Sequence, residues 1–401
     1  MKVTFFSNFL NHHQLPFCKA MYEKLGNDFK FVATESIPKE RLDMGYEDMS
    51  KLYPFSINTY DSNNSYETGL KLAYNSDVVI IGSAPDDFIK RRLKDNKLTF
   101  RYSERIFKTG RWKVLSPRVL INLLRHHTRY KGRNLYMLCA SAYTASDFAL
   151  VGAYKNKTYK WGYFPETKHY ETFDFKYKKN KEEVKILWVG RFLEWKHPEK
   201  AIAVAKMLKE EGYKFTLNLI GSGSLFNKMQ ELINLYKLKE CVNLLGVMPP
   251  DEVRNYMEQT DIYLFTSDYN EGWGAVLNEA MNSGCAVVAS HAIGAVPYLI
   301  NNGENGLIYI NDSIKNLYSN VKLLIDDEKL RNKIGINAYY TIRDQWNADV
   351  AANRIMELSL SLLSSSNFEA ESGPCSISNP ISQEKMYSYI KNTSKHYNKM
   401  Q

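Results

Sequence analysis

Short apolar runs alternate with helical patterns through the second half of the chain. The runs are rich in Val, Ile and Leu, and each is followed by a polar or glycine-containing segment. They cover residues 186–190, 216–220, 242–245, 261–265, 285–289 and 306–310. Helical patterns lie between them, for example over residues 198–211 and 275–283. Buried strands that alternate with helices predict βαβ units and a parallel sheet, so the expected fold class is α/β.

The first half follows the same pattern less regularly. Strands are predicted at residues 2–7, 29–33, 78–81, 98–102 and 135–140. Pro16 suits the first turn of a helix that follows the first strand. We therefore expect a Rossmann-like domain over residues 1–165 and a second one over residues 186–345.

Three further segments complete the predicted organisation. Residues 166–185 are polar, charged and aromatic without clear periodicity, and are interpreted as the interdomain linker. Residues 346–363 are predicted to form a last helix. Residues 364–401 are rich in Ser, Asn, Lys and Tyr with few apolar positions, and are predicted to be a disordered tail.

Charge is unevenly distributed along the 401 residues. The net charge is +9, from 53 Lys and Arg against 44 Asp and Glu. Residues 90–133 contain fifteen basic residues and only two acidic ones, Asp95 and Glu104. The amphipathic stretch 117–129 lies within this basic run. Two interpretations stay open: a solvated face over a core helix, or a patch that meets anionic lipid headgroups. Nucleic acid is disfavoured, because no recognised binding motif accompanies the charge.

Composition also indicates the cellular compartment in which the protein is expected. The first residues do not form a secretory signal peptide, and no segment reaches the roughly 20 apolar residues needed to span a bilayer. The five cysteines show neither metal-ligand nor redox spacing, and are interpreted as thiols of a reducing compartment. The expected location is the cytoplasm, with the inner face of the cell membrane as the place where the basic run would act.

Polar or glycine-rich segments follow four of the predicted strands, at residues 190–191, 221–224, 246 and 266–267. Parallel sheets bind ligands at the carboxyl ends of their strands, so these segments predict one shared site. Arg191 and Lys196 lie five residues apart after a strand, where a guanidinium and an ammonium can hold one diphosphate. The ordinary alternative is a pair of surface cations.

Two carboxylates, Glu271 and Glu279, frame a glycine-containing turn and the start of a helix. Backbone N–H groups at a helix N-terminus suit a phosphate. The carboxylates are better suited to the hydroxyl groups of a sugar and a ribose. The alternatives are a helix-surface charge for Glu279 and a charge favoured by the helix dipole for Glu271. Together the pattern indicates a nucleotide-sugar enzyme.

Residues 186–310 resemble the C-terminal domain of the retaining GT-B glycosyltransferases of family 4 (glycosyl transferases group 1), which build bacterial polysaccharides and glycolipids. The resemblance rests on ordered pieces: Val-Gly-Arg-x4-Lys at 189–196, Ile-Gly-Ser-Gly at 220–223, Leu-Gly-Val at 245–247, Glu-x7-Glu at 271–279, Ile-Gly-Ala-Val-Pro at 293–297 and Asn-Gly-Glu-Asn-Gly-Leu at 302–307. Tyr298 departs from the pattern, since many relatives have an acidic residue there.

The resemblance implies a GT-B fold, with two Rossmann-like domains facing across a cleft and a C-terminal helix crossing back. It implies that Arg191 and Lys196 grip the donor diphosphate, that Glu271 contacts the transferred sugar and that Glu279 holds the ribose. The remaining donor-binding positions are backbone or pocket-lining residues: Gly221, Gly223, Gly246, Val247, Gly274, Ala275, Val276 and Leu277. No metal and no cofactor are expected, and a nucleoside-diphosphate sugar is the co-substrate.

Acceptor-side candidates lie in the first half, where the resemblance is weaker. After the first strand, Asn8-Phe-Leu-Asn-His-His13 replaces the paired glycines of many relatives. We expect the side chains of that loop, and those near the end of the predicted strand at 98–102, to face the acceptor. The candidates are Asn11, His12, His13, Arg101 and Glu104.

The expected activity is transfer of a sugar to an acceptor hydroxyl with retention at the anomeric carbon. A polysaccharide, a lipid-linked glycan or a glycolipid is the expected acceptor, with an anionic membrane as a further partner and no nucleic acid. The alternatives are a GT-B sugar-nucleotide epimerase, a phosphorylase-like enzyme and a non-catalytic GT-B binding subunit.

Overall fold

The computed structural model describes residues 1–39, 42, 47–170 and 183–397. The chain divides into two compact units. Unit 1 contains Met1–Glu166 and Gln345–Ile381, and unit 2 contains Thr167–Asp344 and Ser382–Gln401. Each unit is built around its own parallel sheet.

Unit 1 has seven parallel strands in the order β3-β2-β1-β4-β5-β6-β7. The strands are β1 Val3–Ser7, β2 Phe29–Ala33, β3 Ser56–Asn58, β4 Val78–Ile81, β5 Thr99–Ser103, β6 Leu135–Cys139 and β7 Thr158–Lys160. The helices are α1 Leu15–Leu25, α2 Asn63–Asn75, α3 Asp87–Lys94, α4 Pro117–His126, α5 Thr144–Ala149 and, later in the chain, α13 Ala348–Ser364.

Unit 2 has six parallel strands in the order β10-β9-β8-β11-β12-β13. The strands are β8 Val184–Val189, β9 Phe215–Ile220, β10 Val242–Gly246, β11 Ile262–Phe265, β12 Ala286–Ser290 and β13 Leu307–Tyr309. The helices are α6 Pro198–Glu210, α7 Phe226–Leu235, α8 Pro250–Glu258, α9 Val276–Asn282, α10 Val296–Leu299, α11 Ile314–Asp326, α12 Glu328–Asp344 and α14 Gln383–Tyr397.

Burial on both faces explains why most strands could be predicted. Every residue of β1, β4, β11 and β12 is buried, and a strand covered by helices on both faces has a nearly continuous apolar sequence. The structure confirms all eleven predicted strands to within a residue or two. β3 and β7 were not predicted, because three residues are too few to show a periodic pattern.

Strand order reverses beside the first strand of each unit, between β1 and β4 and between β8 and β11. The loops that follow the two strands at such a reversal diverge and leave a crevice at the carboxyl edge of the sheet. In unit 2 these loops begin at Gly190 and Thr266, and in unit 1 they begin at Asn8 and Gly82. The topology therefore fixes where a ligand site forms in each unit.

The last part of the chain departs from the predicted disordered tail. Cys375 is fully buried in unit 1. The Lys160 N–H donates to Ser376 O at 2.7 Å, and the Cys375 N–H donates to Lys160 O at 2.8 Å. α14 packs on unit 2 through buried Met386 and Ile390. The prediction was wrong over these residues, because a few well-spaced apolar side chains anchor a segment whose average composition is polar.

Parts of two predicted segments lie outside the described residues. These are residues 171–182 of the predicted linker and the terminal residues 398–401. The cysteines at 18, 139, 285 and 375 are buried free thiols, and Cys241 is partly exposed. Within the described ranges, no helix has the length and apolar character needed to cross a bilayer.

A buried arginine joins α3 to the sheet of unit 1. Arg92 has no exposed surface. Its guanidinium donates to the carbonyl oxygens of Ala73, Ser76, Asp77 and Leu98 at 2.5–3.2 Å. Burial lowers the pKa of Arg92 to about 10, with the Asp77 charge opposing the shift, so the group stays charged at neutral pH. One side chain thus satisfies the carbonyl groups around the starts of β4 and β5.

We expect Arg92→Met to lower the free energy of unfolding by about 3 kcal/mol or more, because several buried carbonyl oxygens lose their donor together. Urea denaturation followed by circular dichroism measures the change. The exposed Lys94→Met on the same helix is the control and should stay within about 0.5 kcal/mol. Equal effects of the two substitutions would contradict the structural role assigned to Arg92.

Candidate functional site

The site in unit 2 lies at the reversal between β8 and β11. The segment after β8 carries Arg191 and Lys196, and the segment after β11 carries Glu271. The three side chains therefore start from the two loops that border the crevice. This is the arrangement expected for a ligand-binding edge of a parallel sheet.

Lys196 and Glu271 form an ion pair. The Lys196 ammonium donates to Glu271 Oε2, which also accepts a hydrogen bond from Ser267 Oγ at 3.0 Å. The side chains of Lys196 and Glu271 are only 13% and 10% exposed. The Lys196 ammonium also lies 4.4 Å from the centre of the Trp195 ring. The pair is thus shielded from water yet placed at the ligand-binding edge of the sheet.

A chain of hydrogen bonds holds Lys196 in place through its backbone. Trp188 Nε1 on β8 donates to Thr266 Oγ1 at 2.8 Å, and the Thr266 hydroxyl donates to Lys196 O at 2.8 Å. The Asp268 N–H donates to Trp195 O at 3.0 Å. The two loops are therefore joined to each other and to the strand beneath them. Sequence analysis did not assign a role to Trp188, Thr266 or Ser267, although the Thr-Ser pair at the end of a strand was a signal.

Gly221 allows the end of β9 to pack directly against the end of β8. Its φ is +131°, and a Cβ atom would lie 2.0 Å from Gly190 O. The Gly221 N–H donates to Gly246 O at 2.7 Å, which brings the end of β10 to the same place. Gly223 follows in the same loop. The predicted donor-binding glycines at 221, 223 and 246 thus share one edge with Arg191.

Gly274 fixes the turn that leads into α9. Its φ is +88°, and a Cβ atom would lie 2.4 Å from the Phe265 ring and 3.2 Å from the side chain of Glu271. The Leu277 N–H already donates to Gly274 O at 2.9 Å. The N–H groups available for a ligand at this helix start are thus those of Gly274, Ala275 and Val276, since the first N–H groups of a helix have no intrahelical acceptor.

Glu279 lies in a different environment from Glu271. It is partly buried on α9, and within the described part of the chain its carboxyl group takes part in no hydrogen bond or ion pair. Burial raises the pKa of Glu279 to about 6, with the charge of Arg254 opposing the shift. At neutral pH the group is therefore an ionised and poorly solvated carboxylate, which gains from hydroxyl donors.

Tyr263 is a buried phenol that joins β11 to β8. Burial raises the pKa of its phenol well above the usual range, and the Glu279 and Glu271 carboxylates raise it further. The phenol OH donates to Val189 O at 3.4 Å, at the carboxyl end of β8. Tyr263 therefore supports the strand end from which the loop that carries Arg191 begins.

His197 is a charged neighbour that sequence analysis missed. It adopts the left-handed conformation, with φ of +52°, just before α6. Its Nδ1 lies 2.7 Å from Glu199 Oε1, and its Nε2 lies 3.6 Å from Asp268 Oδ2. The carboxylates of Asp268 and Glu199 raise the pKa of His197 to about 9, and burial opposes the shift. The resulting cation joins the two loops that border the crevice, so we assign it a positioning role.

Two predicted donor-side residues carry exposed side chains. Arg191 is exposed, and no ion pair to it is found among the described residues. Val247, after β10, is 73% exposed. A free guanidinium and an exposed apolar side chain on one edge are suited to a diphosphate and to a base, respectively.

In unit 1 the structure brings three of the acceptor-side candidates to one edge. His12 and His13 follow β1, with ring centres 3.7 Å apart. The His13 ring lies 6.1 Å from the Tyr163 ring, and the Tyr163 OH donates to Glu104 Oε1 at 3.2 Å. Lys108 contacts the other oxygen of Glu104 at 2.7 Å. Imidazole, phenol and carboxylate groups therefore lie near one another at the carboxyl edge of this sheet.

Asn11 and Arg101 have other partners. Asn11 Oδ1 accepts hydrogen bonds from the N–H groups of His13 and Gln14, each at 3.0 Å, and so orders the entry to α1. Arg101 pairs with Asp86 at 2.8 Å and donates to His126 O at 3.2 Å. Side chains alternate along a strand, so Arg101 leaves β5 on the opposite face from Tyr102. The structure thus gives Arg101 partners other than His13, Tyr163 and Glu104, and it uses the Asn11 side chain to order the backbone next to His13.

A family model supports the donor-side interpretation. Residues 169–341 match the model described as Glycosyl transferases group 1. The match covers less than half of the chain and includes Arg191, Lys196, Glu271 and Glu279.

Curated relatives match over a similar segment. The amylovoran biosynthesis glycosyltransferase AmsK of Erwinia amylovora is 28% identical over 180 residues, which cover 44% of each chain. The capsular polysaccharide biosynthesis glycosyltransferase CapM of Staphylococcus aureus is 26% identical over 165 residues, which cover 41% of this chain and 43% of CapM. The chain thus spans less than half the length of these relatives.

A solved structure matches over nearly the whole chain. HepE of Anabaena, crystallised in complex with UDP, aligns with a TM-score of 0.65 and 17% identity, covering 90% of this chain and all of HepE. This likeness confirms the predicted fold: the protein has the GT-B fold, with one Rossmann-like sheet in each unit.

The raised pKa of Glu279 makes stability depend on pH. The folded state holds the proton more tightly than the unfolded chain, so Glu279 lowers the free energy of unfolding as pH rises from about 4.5 to about 6. Gln cannot ionise. We therefore expect the free energy of unfolding of Glu279→Gln, relative to that of the wild type, to be about 2 kcal/mol higher at pH 7.5 than at pH 4. Urea denaturation at both pH values measures this difference.

Glu231→Gln on α7 is the matched control, because the Glu231 side chain is exposed to water. Its stability should run parallel to that of the wild type over the same pH range. If Glu279→Gln also runs parallel, the carboxyl group of Glu279 is not desolvated as described.

Proposed function

We propose that the protein is a glycosyltransferase that moves a sugar from a nucleoside diphosphate to an acceptor hydroxyl, with retention at the anomeric carbon. The observation that carries the proposal is the shielded Lys196–Glu271 pair beside the exposed Arg191, at the reversal of strand order in unit 2. The match of residues 169–341 to a glycosyltransferase model supports it.

Departure of the diphosphate is the main barrier that the site has to lower. Arg191 supplies a planar guanidinium, and Lys196 supplies a compact charge whose position is fixed by Thr266. Preorganised cations of this kind stabilise the charge that develops on a leaving group. Because two cations and the N–H groups before α9 are available, the proposed reaction uses no metal ion and no cofactor.

The two carboxylates are given separate roles. Glu271 is held by Lys196 and Ser267, and in the proposal it contacts the transferred sugar near the reacting carbon. Glu279 is ionised and poorly solvated at neutral pH, and it accepts hydrogen bonds from the ribose hydroxyls. The leaving phosphate deprotonates the acceptor on the same face of the sugar, which accounts for retention without a dedicated base.

The relatives indicate which donor and acceptor to test first. HepE was crystallised with UDP, so uridine diphosphate sugars are the first donors. AmsK and CapM are named for amylovoran and capsular polysaccharide biosynthesis, so a polysaccharide or lipid-linked glycan is the proposed acceptor. Work on such acceptors would bring the protein to an anionic membrane, in keeping with its net charge of +9.

We expect Arg191→Ala to lower kcat for sugar transfer by about 10²–10³, because the side chain acts on the developing diphosphate charge. Arg191 is exposed, so the thermal midpoint of unfolding should not change. Release of UDP from a panel of UDP-sugars, with and without a glycan acceptor, measures the effect. Lys206→Ala on α6 removes a partly exposed cation of the same unit and is the control. Equal turnover in wild type and Arg191→Ala would contradict the assigned donor site.

The stereochemical proposal has its own test. Proton NMR of the first product should show the anomeric configuration of the donor sugar. The opposite configuration would rule out retention while leaving sugar transfer intact. Conversion of the donor sugar without acceptor would instead favour an epimerase, and UDP binding without turnover would favour a binding subunit.

A further inference from the structure

The surface around α4 exposes several large apolar side chains. Trp112 is 67% exposed, Leu115 81%, Ile121 55% and Leu124 41%. Trp112 and Leu115 lie on the short 3-10 helix Arg111–Leu115, and Ile121 and Leu124 lie on α4. We call these four residues the α4 surface. A large exposed patch of this kind marks an interaction site on an otherwise well-packed unit.

A groove of about 960 Å³ opens beside the α4 surface. Its lining is mainly apolar and includes Ile106, Phe107 and Val119. His127 also lines it. Burial, helped by the charge of Arg101, lowers the pKa of His127 to about 3, so the imidazole is neutral. The groove is therefore large enough to hold a hydrocarbon chain, and His127 adds no charge to its lining.

Three cations line the groove. Lys113, Arg118 and Arg125 line it, and both arginines are exposed. No Asp or Glu occurs between Glu104 and Asp147 in the sequence. Arg129, Lys131 and Arg133 add exposed positive charge just beyond α4. The exposed apolar side chains of this segment are thus accompanied in the sequence by cations and by no carboxylate.

Part of the basic run does not contribute to this surface. Arg92 is buried among carbonyl oxygens, Arg101 pairs with Asp86, and Arg105 pairs with Asp147 at 3.5 Å. The run therefore divides into cations that stabilise unit 1 and cations that face outward. The outward ones form two groups: Lys90, Arg91 and Lys94 on α3, and the five arginines and lysines at 118, 125, 129, 131 and 133 on or just after α4.

Helical geometry places apolar and basic side chains together on the outer face of α4. At 100° per residue, Leu124, Ile121, Arg125 and Arg118 occupy a continuous arc of about 120°. Leu123, on the opposite side, is the residue of α4 that is buried. An apolar ridge with adjoining cations is typical of helices that lie in a membrane interface.

We propose that the α4 surface docks on an anionic lipid bilayer. Trp112, Leu115, Ile121 and Leu124 enter the boundary between headgroups and acyl chains. Arg118 and Arg125 meet the phosphates, and the groove receives an acyl chain. The choice of a bilayer follows from charge: exposed apolar side chains lie beside the exposed cations Arg118 and Arg125, which fits an anionic lipid layer. The proposal rests on the proposed function, because docking on a bilayer would bring the enzyme to a lipid-linked acceptor.

The test uses the full chain and vesicles of phosphatidylcholine with or without 30% phosphatidylglycerol. Co-sedimentation should show strong binding to the anionic vesicles, and this binding should fall as salt rises. Trp112→Ser combined with Leu115→Ser and Ile121→Ser should weaken it at least tenfold. Arg118→Glu combined with Arg125→Glu should reduce binding to anionic vesicles to the level seen with neutral ones.

Matched controls remove equally exposed groups elsewhere. Leu52→Ser with Leu235→Ser changes leucines that are 59% and 70% exposed. Lys329→Glu with Lys333→Glu reverses two exposed cations on α12. Both controls should bind vesicles as the wild type does. Circular dichroism verifies that every variant is folded.

Two results would overturn the proposal. One is equal, weak binding of the wild type to both kinds of vesicle. The other is a loss of binding in the controls as large as that in the α4 variants. The catalytic proposal is tested separately, because Lys196→Ala should abolish transfer and still bind vesicles. The α4 variants should keep transfer to a water-soluble acceptor.

Discussion

The ion pair between Lys196 and Glu271 is the constraint on which the unit 2 site depends. Burying two opposite charges costs desolvation that their attraction often does not recover, so such a pair is weak evidence for stability. Its surroundings are costly to build as well: Thr266 and Trp188 hold the lysine, and Ser267 holds the glutamate. Since the pair adds little stability and lies at the ligand-binding edge of the sheet, we explain it by a role in ligand binding. Gly274 also serves ligand binding, because a side chain at that position would displace Phe265 and Glu271.

The two carboxylates of the site differ because their partners differ. Glu271 has a cation and a hydroxyl, whereas the carboxyl group of Glu279 lies in a desolvated position with only the more distant charge of Arg254 to stabilise it. An ionised group without good solvation attracts hydrogen-bond donors strongly. Two glutamates eight positions apart on one turn and helix can therefore hold different hydroxyl-bearing parts of one ligand. The assignment of one to the sugar and the other to the ribose follows from this difference and from the family resemblance.

Sequence analysis predicted the donor side better than the acceptor side, for physical reasons. Strands buried on both faces give continuous apolar runs, so a shared site for Lys196 and Glu271 at one sheet edge could be predicted. The ion pair between them was not predicted. The sequence pattern could not predict the hydrogen-bond and ion-pair partners of individual polar side chains. Asn11 orders a helix entry, and Arg101 pairs with Asp86 from a position far away in the sequence. The buried Cys375 was missed for a similar reason, because its contacts with the rest of unit 1 are not a local property.

Arg101, first assigned to the acceptor side, explains how unit 1 can hold a helix that buries little of itself. Within α4 only Leu123 is buried, and Val119 and Leu120 are partly buried against the same core. The C-terminal end of α4 is fixed by polar contacts: Arg101 donates to His126 O, Asp86 lies 2.5 Å from His126 Nδ1, and His127 Nδ1 lies 2.7 Å from Tyr154 OH. Because these contacts hold α4 at its C-terminal end, its outer face does not have to pack against unit 1. Ile121 and Leu124 on that face are then apolar for a reason other than the fold of unit 1, which is what a docking surface requires.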